Sequence, residues 1–177
     1  QAAREEFRPV HDHFRLIGED NHRRYLPVAA LHVRVAAEDT PLEVAARVAA
    51  ARIAGSRPVV SWSTGLPAHL IDFVHELDGA THAWAGGIEF VEQTDEQLAD
   101  ALRSGLVQRV RYAGPGRAPA VIHAAAADTL AYIADEPVTL AGRVDLLWCL
   151  QEQSISHVYH RYGNLGERAG EQRHEPA

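Results

Sequence analysis

Residues able to do chemistry crowd the last part of this chain. The run EQSISHVYHRYGNLGERAGEQ, residues 152–172, carries Ser154, Ile155, Ser156, His157, Tyr159, His160, Arg161, Tyr162 and Asn164. Histidine, tyrosine and arginine together allow acid–base catalysis, metal ligation or tight docking. On a helix, His157 and His160 would share a face at i, i+3. With His11 and His13 of the HDH run they would supply four imidazoles, if the two ends of the chain met. A catalytic zinc needs about three such ligands and an open position. No H-E-x-x-H occurs, so these histidines read instead as interface groups bonded to backbone or carboxylates, and no metal ligand is assigned.

Other reactive types occur singly. Cys149, the only cysteine, stands in RVDLLWCLQEQ, an apolar run expected to be helical. There it is a small buried hydrophobe, whereas a nucleophile needs a polar, partly exposed setting and a nearby base. The SWSTG segment, residues 61–65, lacks the G-x-S-x-G signature and is expected to cap the following helix. HAWAGG, residues 82–87, reads as a turn with an aromatic plug. YAGPGRAP, residues 112–119, follows a strand and precedes a helix, as a dinucleotide loop does. Yet Gly114 and Gly116 give only G-x-G, Pro119 takes the third glycine's place, and Pro115 lacks a backbone donor. A tight turn explains it, with a cofactor contact at Gly114 and Gly116 as the weaker alternative. No catalytic residue is assigned.

The 177 residues carry a net charge of -7, which opposes broad binding to nucleic acid. Hydrophobic residues at 46% and charged residues at 23% fit a globular domain. No apolar run reaches the roughly 18 residues of a membrane span, and no signal segment opens the chain. One cysteine excludes an intrachain disulfide and fits a reducing, cytoplasmic setting. Methionine is absent and the first residue is Gln1, which suggests a piece of a longer chain.

The elements that must position these residues alternate. Residues 1–25 are charged, His-rich and without long periodicity, and read as an arm or connector. A strand is expected in LPVAALHVRV, then a helix in TPLEVAARVAAARIAG with Thr40 as cap, Pro41 in the first turn and Gly55 as stop. RPVVSWS, GGIEFVE, LVQRVRYAG and AYIADEPVT read as further strands. LPAHLIDFVHELDG, TDEQLADALRSG and RAPAVIHAAAADTL read as helices, the second with a Thr94–Gln97 capping box. AGRVDLLWCLQEQ reads as the last helix. This alternation with short connections defines an α/β, Rossmann-like three-layer domain with a mainly parallel sheet of about five strands over residues 26–153. The polar strands are expected at its edges. Residues 154–177 follow as a docking or lid segment, its end beyond Gly166 mobile unless held.

Two segments resemble a known family. HDHFRLIGEDNHRRYLP, residues 11–27, is similar to a G-E-x-N-x-x-R-Y/F pattern through Gly18, Glu19, Asn21, Arg24 and Tyr25. LQEQSISHVYHRYGNLGE, residues 150–167, is similar to an E-[RQ]-[ST]-[VIL]-S pattern through Glu152, Gln153, Ser154, Ile155 and Ser156. Both patterns occur after the aldehyde dehydrogenase module of the bifunctional proline utilisation A family. HVYHRYGNLGE departs from the alanine- and glycine-rich run that many members carry there. The resemblance implies a C-terminal domain with an aldehyde-dehydrogenase-like nucleotide-binding fold and no chemistry of its own. Its partners would be the aldehyde dehydrogenase and proline dehydrogenase modules, with NAD and FAD in the parent and no cofactor within these residues. The tail would help close the path of pyrroline-carboxylate, or its hydrolysed semialdehyde, or serve a homo-oligomer contact. The alternative is a free-standing small-molecule or nucleotide-binding domain using the 112–119 loop.

Overall fold

The computed structural model describes residues 1–83, 86–160 and 163–173. Strands and helices follow the order Glu19–Pro27 (β1), Leu31–Val35 (β2), Pro41–Ala54 (α1), Val59–Trp62 (β3), Ala68–His82 (α2), Glu89–Glu92 (β4), Asp95–Arg103 (α3), Arg109–Arg111 (β5), Ala120–Ala127 (α4), Tyr132–Ala134 (β6), Gly142–Leu147 (α5) and Leu150–Val158 (β7). The chain divides into two units, residues 27–150 and residues 1–26 with 151 onward.

In the larger unit five strands form a sheet in the order β4-β3-β2-β5-β6. Every pairing is parallel. The expected α/β class and the five-stranded parallel sheet are therefore observed. All five residues of β2 are buried, as a strand covered on both faces requires. Helices α1 and α2 pack Val44, Val48, Leu70 and Val74 against Val33, Val35, Val60 and Trp62. Helices α3 and α4 pack Leu98, Leu102, Ile122 and Ala125 with Val110 and Tyr112 in a second core. Burying each large aliphatic side chain contributes at most about 1.5–3 kcal/mol.

Local signals place the helix ends. Thr40 and Glu43 form a capping box on α1, and Gly55 closes the helix at φ 96°. Thr94 and Gln97 form the second box, on α3. Each satisfies two orphan donors at a helix start. The SWSTG expectation fails: Pro67 precedes α2 and no side chain caps it. The polar-edge expectation holds for β4, whose Glu89 and Glu92 are exposed on an edge strand. It fails for β2 and β5, central strands that bury Arg34 and Arg111 at 2% exposure each. Both guanidiniums are tied down. Arg111, for example, donates through Nη1 to the carbonyls of Tyr112 and Ala134, which offsets part of the cost of burying the group.

The last expected helix is also corrected. It ends at Leu147. Cys149 lies in the following turn, and the polar stretch from Leu150 to Val158 is β7. The expected arm contains β1, the partner of β7 in a two-stranded sheet. Each strand supplies the other's backbone partners, so pairing across the length of the chain overrides the helical preference of LLWCLQEQ.

Candidate functional site

The smaller unit joins the two motif segments. Arg24 Nε donates to Gln153 Oε1 at 2.6 Å, and Ser156 Oγ donates to Asn21 Oδ1 at 2.8 Å. Burial raises the Tyr25 phenol above its ordinary pKa, and its hydrogen bond to Glu152 raises it further. Partner numbers fall on β7 as they rise on β1, so the strands run antiparallel. At the open end, Gly18 N–H donates to Tyr159 Oη at 2.9 Å, while Tyr159 and His160 N–H both donate to Gly18 O. His160 Nδ1 lies 3.0 Å from the same carbonyl, a contact that puts its proton on Nδ1. Glu19 begins β1. Asn164 accepts from Gly166 N–H at 2.9 Å. Ser154 lines a shallow groove with His13, Phe14 and Asn21. Ile155 and His157 are exposed. Arg161 and Tyr162, and the Trp84 of the expected aromatic plug, lie outside the described residues.

Two of the four histidines weighed in the sequence, His11 and His13, take partners within the N-terminal segment. His11 Nε2 contacts Glu6 O at 2.6 Å, and His13 Nε2 accepts from Arg23 at 2.8 Å. His157 lies on β7 rather than on a helix. Among the described residues, the group of metal-type ligands lying close together is Asp12, Asp20 and His22. Both of its carboxylates are ion-paired to arginine. Asp20 carries no local signal of its role. Arg168 grips it with two bonds at 2.9 and 3.1 Å, and Arg173 adds a third. The Arg168 hydrogen bond, then that of Arg173, holds the Asp20 carboxyl well below the usual range. Arg168 also stacks on the Tyr159 ring, 3.8 Å from its centroid. Within the described residues beyond Gly166, Arg168 and Arg173 supply contacts that hold this segment to Asp20 of β1.

The larger unit builds a second cluster at the C-terminal ends of its strands. Connections leave β2 toward β3 on one side while β5 lies on the other, so the loops part here. Such a switch point is where open α/β sheets hold ligands. Asp39 occupies it, its side chain wholly buried. Its carboxylate accepts from Ala36 N–H at 3.1 Å, from Arg117 at 2.7 Å and from Arg47. Arg47 further donates to the carbonyls of Arg34 and Arg111 at 2.7 and 3.0 Å, bridging the two central strands. Arg117 also binds Glu43 at 3.0 Å. Burial works to raise the Glu43 pKa, but the Arg117 and Thr40 hydrogen bonds outweigh it and hold the group below its usual value. Arg34 reaches Ser63 and Asp95, each at 2.6 Å. Beside these groups a cavity of about 240 Å³ is lined by Arg34, Ser63, Thr64, Asp95, Tyr112 and Arg117 with apolar Val35, Leu66 and Pro119.

These residues do not fit a dinucleotide. A pyrophosphate at the start of α1 needs free N–H groups and positive potential. It would meet Asp39 and Glu43 there instead. In the 112–119 loop, Gly116 has φ 79° and serves the turn, and Arg117 is committed to the two acids. Cys149 offers no nucleophile: burial pushes its thiol up to about 12. Sequence reasoning missed Arg34, Asp39, Arg47, Asp95, Tyr112 and Arg117. The alternation in HVRV and RVRY was the available signal, since arginines inside strands otherwise read as edge residues.

This arrangement of sheet and helices is a Rossmann-like fold similar to one found in solved aldehyde dehydrogenases. A solved lactaldehyde dehydrogenase from Escherichia coli is 19% identical, with TM-score 0.54 over 75% of this chain and 28% of that one. A betaine aldehyde dehydrogenase from Staphylococcus aureus is 19% identical, with TM-score 0.55 over 76% of this chain and 27% of that one. More particularly, proline utilization A from Corynebacterium freiburgense is 22% identical and matches over 92% of this chain, with TM-score 0.51. This chain spans 13% of that protein's length. At such identities the likeness concerns the fold. No protein-family profile and no curated protein sequence matches the chain. Among the described residues no helix is long and apolar enough to cross a membrane.

Proposed function

We propose that this chain is an aldehyde-dehydrogenase-like domain without chemistry of its own, serving a larger bifunctional proline-catabolic enzyme. In this reading the parent oxidises proline with FAD and glutamate semialdehyde with NAD at centres outside these residues. The ribbon of β1 and β7 docks on those modules and helps close the path of the intermediate. The observation that carries the proposal is the ribbon itself. Two segments that resemble the family's motifs, 129 to 135 residues apart, hydrogen-bond to one another side chain to side chain. The likeness to the Corynebacterium protein over 92% of the chain supports it. The self-occupied switch point and the inert Cys149 support the absence of chemistry.

Two measurements test the proposal. Calorimetric titration of the 177-residue chain with NAD and with FAD should give no saturable heat, and submillimolar binding of either would overturn the cofactor-free assignment. In the parent enzyme, deletion from Ser154 onward should lengthen the lag before NADH appears from proline while proline oxidation keeps its rate. An unchanged lag with both half-reactions intact would refute the lid.

A further inference from the structure

The groove on the smaller unit carries a positive charge that no acid neutralises. It is lined by His13, Phe14, Leu16, Asn21, Arg23 and Ser154, a set with an arginine and no carboxylate. Arg168 and Arg173, in the same unit, each pair with Asp20. Arg23 forms no ion pair among the described residues. Its guanidinium lies 5.7 Å from the Tyr25 ring centroid. Nε is buried, but the 2.8 Å bond from Nη2 to His13 Nε2 lies at the surface, so the Nη groups are open to a ligand. Apolar side chains stand beside this charge: Phe14 is 70% exposed and Leu16 46%. Asp12 fixes the loop that displays them by accepting from Arg15 N–H at 2.8 Å.

We propose that this groove docks a protein segment in which a carboxylate side chain stands next to an apolar one. The carboxylate binds Arg23, and the apolar group lies against Phe14 and Leu16. The charge of the groove selects the anion. A cationic side chain would meet Arg23 with no acid to offset it. A neutral one would cover the guanidinium and leave it unpaired, which is unfavourable. A carboxylate accepts charge-assisted bonds from the Nη groups. Ser154, whose hydroxyl has no partner among the described residues, can donate another. Exposed apolar groups grouped on one loop mark a protein interface, and the groove, about 680 Å³, has room for two side chains at once. The inference rests on the docking role proposed above and deepens it, since it assigns the segment to a dehydrogenase module of the parent and states its chemistry.

Two isosteric probes stand for such a segment. The 15N-labelled chain is titrated by NMR with 3-phenylpropionate and with 3-phenylpropionamide. The acid should give saturable shifts confined to residues 13–16, 21–23 and 154. The amide should bind about fivefold more weakly at low salt, and added sodium chloride should narrow that gap. Arg23→Gln should abolish the preference for the acid, Arg23→Lys should keep part of it, and Phe14→Ala should weaken both probes. No saturation with the acid, equal affinities at low salt, or a preference that survives Arg23→Gln would each overturn the site. This arm does not depend on the docking role, so an unchanged lag on truncation, which refutes that role, is told apart from failure of the site. In the parent enzyme, p-benzoylphenylalanine in place of Phe14 should photo-crosslink to a dehydrogenase-module peptide that carries aspartate or glutamate next to an apolar residue. A link to a second copy of the chain, or to peptides without an acid, would overturn the assigned partner.

Discussion

Gly18 has φ 99°, and a Cβ there would come 2.7 Å from His160 Nδ1. The left-handed backbone alone penalises alanine by about 1–2 kcal/mol, and the clash adds to it. Gly18→Ala should therefore open the end of the ribbon. Hydrogen exchange should show lost protection at the Tyr159 and His160 amides, while amides of the parallel sheet keep theirs. Asp39 presents the opposite problem, a side chain that cannot be removed cheaply. Asp39→Ala would leave the guanidinium of Arg47, a residue 2% exposed, without its carboxylate. Breaking a buried pair from one side costs roughly 3–5 kcal/mol. Urea unfolding should show a loss in that range, and a loss below about 1 kcal/mol would mean that water screens the cluster.

At the scale of elements, the five-stranded sheet is complete within residues 27–150. Removing residues 154–177 should leave its cooperative unfolding transition in place, and circular dichroism of the truncated chain checks this. The same truncation removes residues 154–158 of β7, and the β1 amides near Gly18 to Asn21, which lie opposite them, should lose protection. The capping boxes were legible from the sequence because a cap acts within four residues. Thr94→Ala should cost about 1 kcal/mol, read from the urea midpoint. The boundary between α5 and β7 was not legible. Apolar residues and good helix formers run across it, and only pairing with a strand at the other end of the chain makes Leu150 onward extended.

For the whole molecule, acid is the vulnerable side. Burial, assisted by the charge of Arg34, lowers the His32 pKa to about 4, against an unfolded value near 6.5. The unfolded chain takes up this proton first. His32 therefore favours the folded state fully above about pH 6.5, and that contribution is lost as pH falls toward 4. It amounts to about 3 kcal/mol across this window. Glu43, its pKa lowered in the fold, acts in the same direction at lower pH, its contribution fading as the carboxylate protonates. Unfolding by urea at pH 7 and pH 4.5 should show the loss, and His32→Leu should flatten the pH dependence between them. A slope unchanged by that substitution would place the acid sensitivity elsewhere.

By itself the sequence determined the class of the larger unit. Alternating β and α patterns, short connections and self-contained caps such as Thr40–Glu43 and Thr94–Gln97 are local signals, and they specify a parallel α/β sheet. It also marked Gly18, Asn21, Arg24, Tyr25, Glu152, Gln153 and Ser156 as belonging to two motifs. That those motifs face each other, with Asp20 clamped by Arg168 and Arg173, was decided by the tertiary structure. So was the fate of Arg34, Asp39, Arg47 and Arg117. Charged residues in strands and helices read as surface until the fold supplies a partner, and here every such partner lies on another element, from 8 to 78 residues away along the chain. Burial depends on what converges in space, and no window of sequence contains that.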